Sequence, residues 1–234
     1  MAQLQVKLDQ RGPAFETYLR EAVVDSAVRS PLLSQVAKVA SSDFTFKCSD
    51  GSFGQIDVLF CVGSSVFVIE AKCILEPTVS STIGTHRAAI SRAAEQAKVR
   101  VKLIEEHRDE FIAQTERFGW HLPATFNVYP LVAVSTVAHV GFPFDGVPVV
   151  DEYVLNKFFE GGYESVALQG KDLSVVQRVH HPFYASVSEA EGCAVGYFEE
   201  PPQLQQYNTG HELRTYPIHA ASKDDWHGLA IDFD

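Results

Sequence analysis

Asp57, Glu70 and Lys72 are the residues of this chain whose types and spacing most directly allow chemistry. Asp57 ends the run Gly54-Gln55-Ile56-Asp57, and Glu70 and Lys72 close Val68-Ile69-Glu70-Ala71-Lys72. Around them Val58, Leu59, Phe60, Val66, Phe67, Val68 and Ile69 have the composition of buried sheet, where a charge is costly unless it is paired or meets an ion. Two carboxylates and water suit the octahedral oxygen coordination of Mg²⁺ or Mn²⁺. Such an ion polarises a phosphoryl oxygen and lowers the pKa of an attacking water. A lysine beside it can orient that water or stabilise charge on the phosphorane oxygens.

Two strands must position these groups. Residues 56–62 and 65–73 are rich in Val, Ile, Phe and Cys, with Gly63-Ser64 between them, a signature of the type II′ hairpin turn. A two-residue loop there pairs Val62 with Ser65 and Cys61 with Val66, and the same register sets Asp57 directly opposite Glu70. Cβ atoms in such pairs lie about 4.5–5.5 Å apart and like charges repel, a repulsion that a divalent cation removes. Glu70 and Lys72 share this face because side chains alternate, and Ile69 and Ala71 point the other way, into the core.

Two helices flank the hairpin in sequence. Gly12-Pro13 opens a helical pattern in which Phe15, Leu19, Ala22 and Val23 form one apolar stripe, proline being at home in a first turn. Glu16 lies beside that stripe, within reach of a site at the sheet edge or in simple interaction with the helix dipole. After the hairpin, residues 84–115 follow helical spacing through Ala89, Ala93, Gln96 and Leu103. Gln96, set among Ala93, Ala94 and Ala97, can hold a nucleophilic or metal-bound water. Arg100, four residues on and on the same face, can meet a phosphate bidentately. An ordinary amphipathic helix with a polar flank accounts for both residues equally simply.

Taken in order, Gly12 to Glu16, Gly54 to Asp57, Val68 to Lys72 and the helix with Gln96 and Arg100 resemble the PD-(D/E)XK nuclease superfamily, which has the restriction-endonuclease-like, resolvase-like fold. The resemblance spans residues 11–138, and Ile56 stands where the family name has proline. It implies Asp57 and Glu70 as metal ligands, Lys72 as the catalytic lysine, and Glu16 and Gln96 as supporting residues, with Mg²⁺ or Mn²⁺ as cofactor. It implies an α/β fold, a central mixed β-sheet flanked by helices. The activity implied is hydrolysis of phosphodiester bonds, of DNA before RNA, in restriction, phage defence, repair or a toxin role. The same superfamily holds inactive members, so a non-catalytic module binding protein or nucleic acid is the alternative.

Charge is divided unevenly. The net charge of −11 is unfavourable for wrapping a polyanion. Residues 1–139, however, hold 15 acids against 14 Lys and Arg, and residues 140–234 hold 15 acids against 5. Within 86–108, Arg87, Arg92, Lys98, Arg100, Lys102 and Arg108 outnumber Glu95, Glu105 and Glu106, making this helix the candidate backbone-contacting surface, against the simpler reading of a solvated face. The expected division is a nuclease core at 1–160 and an acidic carboxy-terminal extension at 161–234 packed on it. The expected partners are nucleic acid, a protein met through the acidic part, and a second copy of the chain.

The remaining signals set the frame. A hydrophobic fraction of 46% is ordinary for a packed domain, no apolar run nears the roughly 18 residues of a membrane span, and the amino terminus lacks signal-peptide character. The four cysteines, Cys48, Cys61, Cys73 and Cys193, have no CxxC spacing; three fall in or near the hairpin strands, where buried free thiols are expected, in a reducing cytoplasm. Nine histidines are present, yet no HExxH and no Cys/His pair has zinc-ligand spacing. Residues 76–85 read as a turn-rich connector and 127–138 as a core strand. Gly141 to Pro148 reads as a turn, Val149-Val150 as a short strand, and Asp151 as the cap of a helix ended by Gly161-Gly162. His180-His181-Pro182 reads as a loop and Tyr207 to Gly210 as a turn.

Overall fold

Gly63 turns the chain with φ of +59°, and Ser64 is not among the residues of positive φ, the sign pattern of a II′ rather than a I′ turn. The strands that leave it pair as Val58↔Ile69, Leu59↔Val68, Phe60↔Phe67, Cys61↔Val66 and Val62↔Ser65, which is the register expected from the sequence. In this computed structural model, residues 11–75, 80–169, 174–209, 211–218 and 226–233 are described. The chain runs through α1 (Arg11–Arg29), β1 (Lys38–Val39), β2 (Phe44–Lys47), β3 (Phe53–Ile56), β4 (Val58–Val62), β5 (Ser65–Lys72), α2 (Ser80–Glu106) and α3 (Arg108–Glu116). It continues with β6 (Asn127–Val134), β7 (Val149–Val150), α4 (Glu152–Glu160), β8 (Gly162–Gln169), β9 (Ser174–Pro182), α5 (Val187–Glu199), α6 (Pro202–Thr209), β10 (His211–Ile218) and β11 (Trp226–Phe233).

The fold is α/β, built on a mixed five-stranded sheet in the order β1-β4-β5-β6-β7. β4 is antiparallel to β1 and β5, and β6 is parallel to β5 and β7. Both faces are covered, which is why β4 and β5 read as unbroken hydrophobic runs. Val58, Phe60, Val62, Phe67, Ile69 and Ala71 pack with Leu19 and Val23 of α1, Phe158 and Phe159 of α4, and Ala194 and Phe198 of α5. On the opposite face Leu59, Cys61, Val66 and Val68 meet Ile104 and Phe111, and Val132 and Val134 meet Ile90, Ala93 and Ala94 of α2. The small residues Ala93 and Ala94 of α2 allow the helix close to the sheet.

β2 and β3 form a separate antiparallel ribbon, as do β8 with β9 and β10 with β11. α5, within the acidic part of the chain, packs Phe198 against Phe67 at 5.1 Å between ring centroids and lays Glu191 over Gly63, where a Cβ would collide with its carboxylate. Asp151 caps α4 by accepting from Val154 N at 2.9 Å, and Gly161 ends the helix at φ +83°.

Several local readings change. α2 already begins at Ser80, and His86 and Ile90, one turn apart, are buried on its inner face. The connector is therefore shorter than 76–85, and residues 76–79 lie outside the described residues. The helical stretch expected at 84–115 breaks at His107 into α2 and α3. His180 and His181 belong to β9, where the His181 ring stacks on Tyr163 at 4.6 Å. Tyr207 to Thr209 continue α6, which starts at Pro202, and Gly210 lies outside the described residues. The four cysteines are free, but Cys73 is exposed rather than buried. Among the described residues no helix is long and apolar enough to cross a membrane.

Candidate active site

The chain changes partner at Asp57. β3 pairs with β2, β4 pairs with β1 and β5, and Asp57 is the one residue between β3 and β4. It sits in a bend, so its backbone does not join the ladder opposite Glu70 as the sequence suggested. Its side chain takes that place: Oδ2 accepts the Ala71 N–H at 2.8 Å, satisfying a strand donor that the departing chain leaves open. The bend is braced from α1. Arg20, buried in the helix, donates Nε–H to the Asp57 carbonyl at 3.0 Å and pairs its other arm with the Asp43 carboxylate.

Glu70 and Lys72 share one face of β5, and Lys72 Nζ donates to Glu70 Oε1 at 2.7 Å. Asp57 and Glu70 are only 8% and 6% exposed. Burial pushes the Asp57 carboxyl from 3.8 up to about 7; the Glu70 charge adds to the shift, while the Ala71 N–H bond opposes it. Glu16, half-buried on α1, is likewise raised, first by burial and then by Glu70 and Asp43, with Lys72 and Arg20 pulling the other way. Glu16 also contributes to the shift at Asp57, as Lys72 opposes it. Four groups, from α1, β5 and the bend between β3 and β4, therefore share one electrostatic field. Three are acids and one is a base, an imbalance that a bound cation would relieve.

Gln96 stands on the exposed side of α2 and makes no hydrogen bond with these four among the described residues. Arg100 is drawn to β3: its Nε donates to the Gln55 carbonyl at 2.9 Å, and its side chain lies across Gly54, leaving no room for a Cβ there. Other bases of the same helix are engaged locally. Lys98 pairs with Glu95, Lys102 with Glu106, and Arg92 donates to the Ala88 carbonyl. Arg108 lies over Phe126 and donates to its carbonyl.

Arg20 is the member of this constellation that sequence reasoning passed over. Its signal was a guanidinium on the apolar side of the first helix, one turn after Glu16 and next to Leu19, a place where an arginine is expected to be paired. A hollow of about 690 Å³ opens between the Gly141–Pro148 loop and Glu199–Gln205, and it contains none of the clustered charges. The cluster at the Asp57 bend is the better candidate because chemistry needs those groups, whatever the size of the hollow. Comparison of the chain with protein-family models, curated proteins and solved structures finds no match.

Proposed function

We propose that this chain is a metal-dependent nuclease of the PD-(D/E)XK type, with a restriction-endonuclease-like core, that hydrolyses phosphodiester bonds of nucleic acid, DNA being the favoured substrate. The observation that carries the reading is the convergence of two buried carboxylates, Asp57 and Glu70, with Lys72 at the point where β3 leaves the sheet. The donor set is all oxygen, which fits a hard cation such as Mg²⁺ or Mn²⁺, and such a cation would offset the raised proton affinity of Asp57, which burial sets first and the Glu70 charge second. Asp57 and Glu70 would hold the ion, which when bound polarises a phosphoryl oxygen and lowers the pKa of its water.

The protein groups divide the remaining work. Asp57 is oriented by the Ala71 N–H on one side and by Arg20 on its carbonyl. Lys72 uses one of its three N–H bonds on Glu70 and keeps two for an attacking water or a phosphoryl oxygen. Glu16, with its raised proton affinity, is suited to take a proton from that water. Arg100 is fixed through Nε on Gln55, so its terminal nitrogens are what it would offer a phosphate. Gln96, exposed on α2, would enter only with substrate in place.

A second reading rests on the engagement of Lys98, Lys102 and Arg108 within the fold and on the net charge of −11. It makes the chain a non-catalytic module that binds through its acidic part. One experiment separates the two: incubation with single- and double-stranded DNA and RNA in Mg²⁺ or Mn²⁺, beside Asp57→Ala, Glu70→Ala and Lys72→Ala. The nuclease reading expects cleavage by wild type and a loss of about 10²-fold or more in each variant. Full-rate cleavage by the variants would sink the mechanism, and a wild type that neither cleaves nor binds metal would favour the module.

A further inference from the structure

We propose that Cys48, Asp50 and His107 form a second, separate metal site that takes a thiophilic divalent transition ion of the Zn²⁺ class and staples the β2–β3 turn to the α2–α3 corner. The donor atoms of these three residues all lie within 4.8 Å of one another. They come from distant parts of the chain: Cys48 and Asp50 from the turn after β2, and His107 from the break between α2 and α3. Thiolate, imidazole and carboxylate are a mixed soft and hard set, which suits Zn²⁺ and is a poor match for Mg²⁺. Ligands at 2.0–2.3 Å in a tetrahedron stand roughly 3.3–3.7 Å apart. His107 Nε2 and Asp50 Oδ2 are already 3.5 Å apart, and no separation in the trio needs to close by more than about 1.5 Å.

His107 and Asp50 each have a neighbour that holds them in ligating form. His107 Nδ1 faces Glu110 Oε1 at 3.3 Å, so a proton on Nδ1 leaves the Nε2 lone pair directed at Asp50. This is the carboxylate–histidine arrangement that orients metal-bound imidazoles. Glu110 is itself anchored by Ser49, through N–H at 2.7 Å and Oγ at 3.0 Å. Ser52 occupies Asp50 Oδ1 with N–H at 2.8 Å and Oγ at 2.6 Å, which leaves Oδ2 for the ion. Cys48 is buried and Asp50 exposed, so three protein ligands would be completed by a solvent molecule on the open side. Binding would release the thiol proton of Cys48 to solvent. No sequence motif marks this site, because the turn and the helix corner meet through tertiary contacts, the packing of the β2–β3 ribbon on Phe111 and the Ser49–Glu110 hydrogen bonds.

The test uses the full chain, stripped with chelator and titrated with Co²⁺ and then Zn²⁺. The expected result is one thiolate-to-cobalt charge-transfer band with tetrahedral d–d absorption, saturating at one ion per chain and displaced by Zn²⁺. Cys48→Ser should abolish the charge-transfer band, while Cys73→Ser, at the exposed cysteine, and Asp57→Asn should leave it intact. Asp50→Asn, at an exposed position, should weaken Co²⁺ binding at least tenfold without unfolding the chain. Glu110→Gln should keep the band and weaken binding about 10–100-fold, as loss of a carboxylate behind a ligating histidine does. Absence of a thiolate band in wild type, or a band that survives Cys48→Ser, would overturn the site. So would affinity unchanged by Asp50→Asn.

Discussion

Replacing Asp57 by asparagine should convert a destabilising charge into a neutral group and abolish its response to pH and metal. The folded-state carboxyl is raised from 3.8 to about 7, so between these values the native state binds a proton that the unfolded chain releases. Stability of the metal-free protein should therefore fall as pH rises from about 4 to 7 and level off above it. At about 1.4 kcal/mol per pKa unit, the full span is on the order of 4 kcal/mol. Asparagine keeps a carbonyl oxygen for the Ala71 N–H, so the variant loses the charge and retains the bond. In chelator, Asp57→Asn should match wild type near pH 4 and exceed it by up to about 4 kcal/mol at pH 8. Mg²⁺ at a hundred times its Kd should restore about 2.7 kcal/mol to wild type at pH 8 and nothing to the variant. Urea unfolding followed through the buried Trp120 measures both. A difference that stays flat from pH 5 to 8, with no effect of Mg²⁺, would refute the charge cluster and the metal reading with it.

Arg20→Ala should cost about 2–3 kcal/mol, because the Asp57 carbonyl loses a charged donor, whereas Asp43→Ala, removing the largely exposed partner, should cost under about 1 kcal/mol; paired urea titrations decide. Gly54→Ala should destabilise by about 1–3 kcal/mol, since its Cβ would lie 2.7 Å from Arg100 Cδ and 3.2 Å from Leu103 Cδ2. Combining it with Arg100→Ala should recover part of that loss in a double-mutant cycle, and strict additivity would count against the contact. Asp151→Ala should lower stability by about 1 kcal/mol through loss of the α4 cap, read as a shift in the urea midpoint at unchanged slope.

Much of the central hairpin was legible from residue order because its determinants are local. Gly63-Ser64 dictates a two-residue turn, the turn dictates the register, and the register puts Glu70 and Lys72 on one face. Asp151 and Gly161 bound α4 for equally local reasons of capping and left-handed φ. The bend at Asp57 was not legible. A regular strand would have made it a ladder partner of Glu70, and only the pairing of β3 with β2 pulls the chain away and frees its carboxylate for Ala71. Arg20 acquires its role for the same reason: nothing in a helical stripe tells which strand carbonyl the guanidinium will reach. The juxtaposition of Cys48 and Asp50 with His107 also lies beyond any spacing rule, since it depends on how a ribbon packs against a helix corner. By itself the sequence determined which charged residues share a strand face. Tertiary structure decided which backbone groups hold them, and how deeply their charges are buried, because both depend on contacts between segments that local rules do not connect.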